Sequence, residues 1–315
     1  MKSRARQKPS RPKQLRLSLP ATSANLGPAF DAAALAFDLF LKIHAHTDRD
    51  FSVEASGRDS EACSRVENHL ILTTYREVLR SQNKPILPLA LRIENEIPIG
   101  KGCGSSAAAR LAGTALADHF GRLHWNDARI VGEASRREHH ADNAAACWTG
   151  GLAVARMSND SEASIASIVP KGKWPLLLAV PDEELPTEQA RRVLPAQYSR
   201  ADAVSNVQNA MLLLSAFVQG RPGLLTLALE DHLHQPYRAY ACPLLPVLQK
   251  MTNSGILGVA LSGAGPSVLI FLDPKANLNR AIQQIRAHLT AERMTAELIP
   301  ASITQRGGRA LLRRA

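Results

Sequence analysis

Apolar and polar positions alternate over several short stretches in the first half of the chain, which is the period of a half-buried strand. These stretches predict strands at 15–19, 32–44, 53–58, 88–95 and 150–156. Over 66–82 and 105–120 the apolar residues instead recur every three or four positions, which predicts two helices. Asn126 is placed to cap a further helix that runs to residue 137. The segment 22–31 is predicted to be a loop.

The second half shows a similar mixture of patterns. Apolar runs predict strands at 169–180, 255–261, 268–272 and 296–299. Helical spacing predicts helices at 187–194, 202–218, 224–234, 243–252 and 276–289. The mixture predicts an α+β fold, and neither an internal repeat nor a Pro/Ser-rich linker divides the chain.

Composition narrows the class of protein. The 315 residues are 45% apolar, which is enough for a sizeable core and for two domains of ordinary size. The four cysteines form no C-x-x-C pair, which favours neither a disulfide framework nor a zinc site and fits a cytoplasmic protein. No apolar run reaches the ~18 residues of a membrane span, and the basic N-terminus lacks the apolar segment of a secretory signal.

The net charge of +10 is concentrated at the two ends of the chain. Such runs of like charge are usually solvated, so we predict basic tails at 1–14 and 306–315. Aromatic residues make up only 4% of the chain, and no nucleic-acid-binding module is visible. The sequence therefore predicts no specific nucleic-acid partner and no membrane.

A glycine-serine segment, PIGKGCGSSAAA at 98–109, leads directly into the helix predicted at 105–120. Glycines let the backbone approach a ligand closely, Ser105 and Ser106 suit the N-cap and first turn, and a helix N-terminus offers free N–H groups to phosphate. The spacing matches neither the P-loop nor the dinucleotide-binding fingerprint, so a glycine-rich turn that merely caps a helix remains an alternative. The predicted phosphate-binding residues are Pro98, Ile99, Gly100, Lys101, Gly102, Cys103, Gly104, Ser105, Ser106, Ala107 and Ala108.

Three other segments accompany this loop. They are LPATSANLGPAFD at 19–31, EHHADN at 138–143 and LSGAGPSV at 261–268. In this order the four segments resemble the motifs of the GHMP kinases, and the first and third of them along the chain resemble the homoserine kinase members most. The resemblance covers most of the chain.

The resemblance implies the GHMP kinase fold, in which an N-terminal domain like domain 2 of ribosomal protein S5 precedes a ferredoxin-like C-terminal domain. We place these domains at 15–165 and 166–305. It also implies an ATP:L-homoserine O-phosphotransferase of threonine biosynthesis, with ATP and Mg²⁺ as cofactors, L-homoserine as substrate and a homodimer as the assembly.

The resemblance further implies roles for single residues at the phosphate end. Ser106 is expected near Mg²⁺ and the β- and γ-phosphates. Mg²⁺ prefers hard oxygen ligands, and two carboxylates, Glu133 and Glu138, lie close to the third segment. We prefer Glu138, which occupies the glutamate of the family motif, and keep Glu133 as the alternative.

The acceptor-binding residues follow from the same resemblance. A carboxylate and an amide six residues apart in the first segment suit an amino group and a hydroxyl, and arginine is the natural partner of an amino-acid carboxylate. The two arginines lie in TEQARRVLP at 187–195 and DHLHQPYR at 231–238. The residues expected to bind the phosphate acceptor are Asn25, Asp31, His140, Asp142, Asn143, Arg191 and Arg238. Gly263 and Gly265 are expected to form a closing wall of the substrate site.

No residue is an obvious general base. Asp142 matches the aspartate that other GHMP kinases use, but the homoserine kinases are thought to bind substrate with it, so we expect Mg²⁺-assisted transfer aided by Asp142, Asn143 and Ser106. Ala29 replaces a family glycine and would be strained at positive φ. Another small-molecule GHMP kinase, a non-catalytic nucleotide-binding protein and a basic nucleic-acid-binding protein remain the alternatives.

Overall fold

The computed structural model describes residues 14–138, 140–251 and 255–314. Its strands are β1 (Gln14–Asn25), β2 (Ala29–Thr47), β3 (Ser52–Gly57), β4 (Leu89–Asn95), β5 (Leu152–Asn159), β6 (Glu162–Ile168), β7 (Pro175–Val180), β8 (Ile256–Leu261), β9 (Val268–Leu272), β10 (Glu297–Ser302) and β11 (Arg313–Arg314). Its helices are α1 (Ser60–Ser64), α2 (Leu70–Ser81), α3 (Ser105–Gly121), α4 (Asp127–Ser135), α5 (Asp142–Thr149), α6 (Thr187–Arg192), α7 (Arg200–Gln219), α8 (Leu225–Ala228), α9 (Gln235–Arg238), α10 (Leu244–Gln249), α11 (Leu278–Ala291) and α12 (Gly308–Leu311).

The N-terminal half is built on a seven-stranded sheet. The order is β11-β1-β2-β4-β3, with β5 paired to β2 and β6 paired to β5. The 19-residue strand β2 is its centre, because it pairs antiparallel with β1, β4 and β5 along successive parts of its length. Helices α3, α4 and α5 pack on the sheet and α2 packs on α3, which is buried along most of its length because its alanine and glycine residues allow close packing.

The C-terminal half is a four-stranded antiparallel sheet in the order β10-β7-β9-β8. Side chains alternate between its faces: Leu177 and Ile270 join a core with α10 and α11, whereas Leu176 and Phe271 join the main core of the N-terminal half. Because the two halves share that core, no linker is needed between them. No helix in the described part of the chain combines the length and apolar composition that crossing a membrane requires.

Several predicted elements are confirmed. The helix after the glycine-serine segment begins at Ser105, the last glycine motif lies between β8 and β9, and Asn126 caps α4 by accepting a hydrogen bond from the N–H of Arg129 at 2.8 Å. Ala29 lies in β2 and not among the residues with positive φ, so the glycine replaced here leaves no strain.

Other predicted elements are wrong. The segment 22–31 is not all loop, since β1 continues to Asn25 with both faces buried and β2 begins at Ala29. The helix predicted at 224–234 ends at Ala228 in α8, because Asp231 then caps the separate short helix α9 through the N–H groups of His234 and Gln235.

The two predicted tails differ from each other. Residues 1–13 lie outside the described residues, and Gln14 already belongs to β1. The tail predicted at 306–315 is wrong for most of its length, since it contains α12 and β11, and β11 pairs with β1. Charge alone suggested a solvated segment, but Leu312 packs against the hydrophobic core, and a count of charges does not include that contact.

The glycine-serine segment is hydrogen-bonded to two other glycine loops. The carbonyl of Cys103 accepts from the N–H of Thr22 at 3.1 Å, and the carbonyl of Gly102 accepts from Ser262 Oγ at 2.8 Å. A third hydrogen bond joins the other two segments to each other: the N–H of Gly263 donates to the carbonyl oxygen of Ala24 at 3.1 Å. We call this meeting point of the segments 22–31, 98–108 and 262–267 the three-loop junction.

Gly102→Ala is predicted to destabilise this junction. Gly102 has φ +77°, and a Cβ there would lie 2.2 Å from the carbonyl oxygen of Ser262. Left-handed strain and the clash together should lower the free energy of unfolding by about 2–4 kcal/mol, read from the midpoint of urea denaturation. Gly223→Ala is the matched control, since nothing lies within 4 Å of its Cβ position, and it should change stability by less than about 0.5 kcal/mol. Equal midpoints for the two variants would contradict the prediction.

Candidate active site

A cavity of ≈ 870 Å³ lies between the two halves of the chain, beside the three-loop junction. It is lined by the N-terminus of α3, the segment before α5, and residues of α6 and α9. The fold therefore brings together most of the residues singled out from the sequence. Those that line the cavity are Asn25, Asp31, Ile99, Gly100, Gly102, Gly104, Ser105, Ser106, Ala107, Glu138, His140, Asp142, Asn143, Arg191, Arg238 and Gly263.

Six predicted residues do not line the cavity: Pro98, Lys101, Cys103, Ala108, Glu133 and Gly265. Lys101 turns away, since its Nζ donates to the carbonyl oxygens of Asp182 and Glu183. Cys103 is fully buried, and burial raises the pKa of its thiol to about 12, so it is a packing residue of the loop. Pro98, Ala108 and Gly265 are likewise buried or structural positions behind the cavity wall.

The N-terminus of α3 points an unpaired set of donors at the cavity. The N-cap is Gly104 and not a serine as predicted, because the tight loop holds this position at φ +74°. The first N–H to find a partner in the helix is that of Ala108, which donates to Gly104. The N–H groups of Ser105, Ser106 and Ala107 lie before it and are thus free to bind an anion.

A serine hydroxyl and a carboxylate meet beside this helix terminus. Ser106 Oγ donates to Glu138 Oε1 at 3.2 Å, and Arg110 Nε lies 3.4 Å from the same oxygen. Glu133 is elsewhere: Arg129 and Arg136 hold its buried carboxylate at 3.4 and 3.2 Å, and it does not line the cavity. Of the two carboxylates, only Glu138 therefore lies where it could serve a metal ion at this helix, and two hard oxygens fit Mg²⁺.

Arg238 lies at another wall of the cavity and is only 1% exposed. Its Nε donates to the carbonyl of Ala190 at 3.0 Å, and its Nη1 lies 3.1 Å from His234 Nδ1. Both partners are neutral acceptors, and burial together with the charge of Arg191 lowers the pKa of Arg238. The guanidinium thus brings a positive charge into the cavity wall with no carboxylate bonded to it among the described residues.

Arg191 contrasts with Arg238. Its Nη2 and Nη1 donate to the two carboxylate oxygens of Asp31 at 2.6 and 3.0 Å, in a bidentate pair about one third exposed. Asp31 itself has φ +53°, and Asn25 Oδ1 accepts from its N–H at 3.0 Å. Asn25 Nδ2 donates to the carbonyl oxygen of Gly263 at 2.7 Å, so the asparagine amide links the backbone of Asp31 to that of Gly263.

Asp142 is fully buried and has one oxygen without a partner. Its Oδ1 accepts from His140 Nδ1 at 2.8 Å and from the N–H of Asn143 at 2.6 Å, whereas Oδ2 has no hydrogen-bond partner. Burial lowers the pKa of His140, but the hydrogen bond to Asp142 and the surrounding carboxylates outweigh burial and hold it above its ordinary value. Ligand atoms of Asp31, His140 and Asp142 lie within 4.8 Å of one another, which makes an acidic subsite suited to a cation. His139 lies outside the described residues.

Several residues of the site were not predicted from the sequence. Thr22 Oγ1 donates to Asn143 Oδ1 at 2.8 Å, and Phe30 lies 5.4 and 5.5 Å from the guanidinium carbons of Arg238 and Arg191. Both lie inside the quoted segment 19–31, which was the signal available. The cavity also extends into an apolar recess formed by Ile71, Ile97 and other side chains at the start of α2 and before the phosphate loop. No local sequence motif predicts this recess.

Comparison with known proteins agrees with this geometry. Residues 69–151 match the model for the GHMP kinases N terminal domain, and residues 213–291 match the model for the GHMP kinases C terminal domain. The chain is 42% identical to a homoserine kinase of Solibacter usitatus over 82% of its own length and 84% of the relative's. It is 34% identical to a homoserine kinase of Synechococcus sp. over 92% and 94% of the two chains.

A solved structure gives the same fold. The homoserine kinase of Cytophaga hutchinsonii superimposes with a TM-score of 0.78 at 20% identity, covering 99% of this chain and 100% of that one. The fold, the order of the four motifs and the sequence identity all agree. The chain therefore belongs to the GHMP kinase family and, within it, to the homoserine kinases.

Proposed function

We propose that the protein transfers the γ-phosphoryl group of ATP to the hydroxyl of L-homoserine and releases O-phospho-L-homoserine and ADP. The observation that carries the proposal is the division of one cavity into two charged ends. One end is the free N-terminus of α3, and the other is the guanidinium of Arg238, to which no carboxylate of the described residues is bonded. A phosphate donor and a carboxylate-bearing acceptor would each complete one end.

The donor end would hold ATP through the backbone of the loop. The N–H groups of Ser105, Ser106 and Ala107 suit the β- and γ-phosphates, and the apolar recess beside Ile71 and Ile97 suits the base. Ser106 Oγ and Glu138 would hold Mg²⁺, which when bound neutralises charge on the transferring phosphate. The protein's own part is to keep these oxygens and N–H groups fixed beside one another.

The acceptor end would hold L-homoserine by its two charged groups. Its carboxylate pairs with Arg238, and its ammonium group pairs with the free Oδ2 of Asp142 and with Asp31. This orientation turns the side-chain hydroxyl towards the phosphate end. The acceptor proton then leaves late or passes to the γ-phosphate, while Asp142 binds substrate. The homodimer and the cytoplasmic location stay predictions.

The acceptor assignment predicts a specific substrate profile. With Mg-ATP, coupled ADP release should be seen with L-homoserine and not with mevalonate, galactose or shikimate. Arg238→Ala should lower kcat/KM for L-homoserine by about 30- to 1000-fold through a higher KM, because the carboxylate loses its buried partner, with KM for ATP unchanged. Arg92→Ala, at an exposed pair with Glu54, is the control. Turnover of a different alcohol would show that this alcohol, and not L-homoserine, is the acceptor. If no alcohol were turned over while ATP still bound, a non-catalytic role would be favoured.

The metal assignment predicts that Glu138 and Glu133 behave differently. Glu138→Gln should raise the Mg²⁺ concentration needed for half-maximal rate by about tenfold or more, because a metal-binding oxygen loses its charge. Glu133→Gln should leave that concentration unchanged and lower thermal stability instead, since it breaks contacts with Arg129 and Arg136. If the Mg²⁺ dependence changed only in the Glu133 variant, Glu133 and not Glu138 would be the metal-binding carboxylate.

The role given to Asp142 predicts an effect on binding more than on chemistry. Asp142→Asn should raise KM for L-homoserine by about tenfold or more, because the ammonium group loses a buried anionic partner, while kcat at saturation falls less. Steady-state kinetics and calorimetric binding of L-homoserine measure both quantities. Asp160→Asn, at an exposed turn, is the control. Abolished turnover with homoserine binding intact would make Asp142 the general base.

A further inference from the structure

His234 is a fully buried histidine that contacts the guanidinium of Arg238. Its Nε2 lies 2.8 Å from the carbonyl oxygen of Gly27, which can only accept a hydrogen bond, so Nε2 carries the proton. Nδ1 is then left as a lone-pair acceptor for Arg238 Nη1 at 3.1 Å. The hydrogen-bond partners on both sides therefore fix one neutral tautomer.

Burial supports the same protonation state. Burial lowers the pKa of His234 to about 4, so the imidazole is neutral at physiological pH. The nearby carboxylate of Asp231 lies 3.5 Å from Nε2, but its oxygens accept from the N–H groups of Leu233, His234 and Gln235 as the cap of α9. That carboxylate is thus occupied by the backbone of its own turn.

The imidazole is held so that it cannot turn away from the arginine. Gly27 lies in the turn between β1 and β2, and this turn packs so closely on Leu229 that a Cβ on Gly27 would come 2.8 Å from the carbonyl oxygen of Leu229. Phe30 stacks on the ring of His234 with centroids 5.2 Å apart and planes 26° apart. His234 therefore connects Arg238 to the same segment, 19–31, that carries Asp31.

The two arginines of the cavity differ in what holds them. Asp31 holds Arg191 with a carboxylate, and this neutralises its charge. A carbonyl and an imidazole hold Arg238, and these fix its direction while leaving its charge in place. A carboxylate in the place of His234 would fix the arginine equally well but would cancel the charge that an anionic substrate group needs.

We propose that His234 is a positioning residue that sets substrate specificity: as a neutral acceptor it orients Arg238 towards the acceptor's carboxylate and keeps the positive charge available to it. The inference rests on the proposed function, because that function supplies the carboxylate. It predicts that KM for L-homoserine depends on two properties of the side chain at position 234: its charge, and whether it places a hydrogen-bond acceptor beside Arg238.

Three substitutions separate these contributions. In His234→Asn the amide oxygen can stand near the place of Nδ1 and accept from Arg238, so KM for L-homoserine should stay within about threefold of wild type. In His234→Gln the longer amide can reach Gly27 but no longer places an acceptor at Nδ1, so KM should rise about tenfold. In His234→Asp the new carboxylate pairs with Arg238, so KM should rise about a hundredfold with kcat at saturation largely retained.

The experiment measures kcat and KM for L-homoserine and for ATP, with calorimetric binding of L-homoserine to the full-length protein as a second readout. His232→Asn is the matched control, because His232 belongs to the same turn and its ring lies near the carboxylates of Asp202 and Glu230, away from Arg238. Circular dichroism and thermal unfolding show that each variant is folded, and the Asp variant keeps a partner for the buried arginine.

The result expected is the order Asn, Gln, Asp of increasing KM for L-homoserine, with KM for ATP constant. Wild-type KM and affinity in folded His234→Asp would overturn the inference, since the charge of Arg238 would then not matter. Equal losses in all three variants, with kcat and KM for ATP affected as well, would overturn it in favour of a purely structural role. A wild-type protein that neither binds nor phosphorylates L-homoserine would instead refute the proposed function and the inference with it.

Discussion

The active-site geometry depends on the backbone hydrogen bonds of the three-loop junction. The carbonyls of Gly102 and Cys103 accept hydrogen bonds from Ser262 Oγ and from the N–H of Thr22, and the N–H of Gly263 donates to Ala24 near the end of β1. The junction leaves no room for a side chain at position 102. It fixes the N-terminus of α3, which begins at Ser105, relative to Asp31 and to the arginines of the C-terminal half.

The charged groups of the cavity differ in whether a neighbouring side chain already pairs with them. Asp31 and Arg191 neutralise each other, and Glu138 lies against Ser106 and Arg110. Arg238 and the free oxygen of Asp142 are left over, one positive and one negative, and both are buried. An amino acid carries the two opposite charges that would satisfy both. Burial makes this selection strong because an unpaired charge away from water is costly.

Much of the fold was predictable because its signals are local. The apolar run of β9, the alanine-rich α3 and the Asn126 cap of α4 are each encoded within a few neighbouring residues. The end of α8 was missed because Asp231 accepts hydrogen bonds from the first N–H groups of α9 and so begins a new helix. The spacing of apolar residues gives no sign of this capping. The paired β11 was missed because the partner strand lies almost 300 positions earlier in the chain.

Site residues were predictable where a short motif contains the reactive or binding side chains. They were not predictable where contacts with residues far away in the sequence determine where a side chain points. Arg191, Arg238 and Asp142 line the cavity as expected, although their roles stay predictions. Glu133 and Glu138 could not be separated by sequence, since the difference is that Arg129 and Arg136 hold only the former. Lys101 looked like a phosphate ligand but is drawn to carbonyls 81 and 82 positions away.

The central claim is that one cavity holds an acceptor carboxylate on Arg238 and a phosphate donor on α3. A crystal structure with L-homoserine and a non-hydrolysable ATP analogue tests it most directly. We predict the substrate carboxylate on the guanidinium of Arg238, the ammonium group against Asp142, and the hydroxyl oxygen about 3–3.5 Å from the γ-phosphorus. A carboxylate bound instead at the N-terminus of α3, or a hydroxyl directed away from the γ-phosphate, would contradict the account.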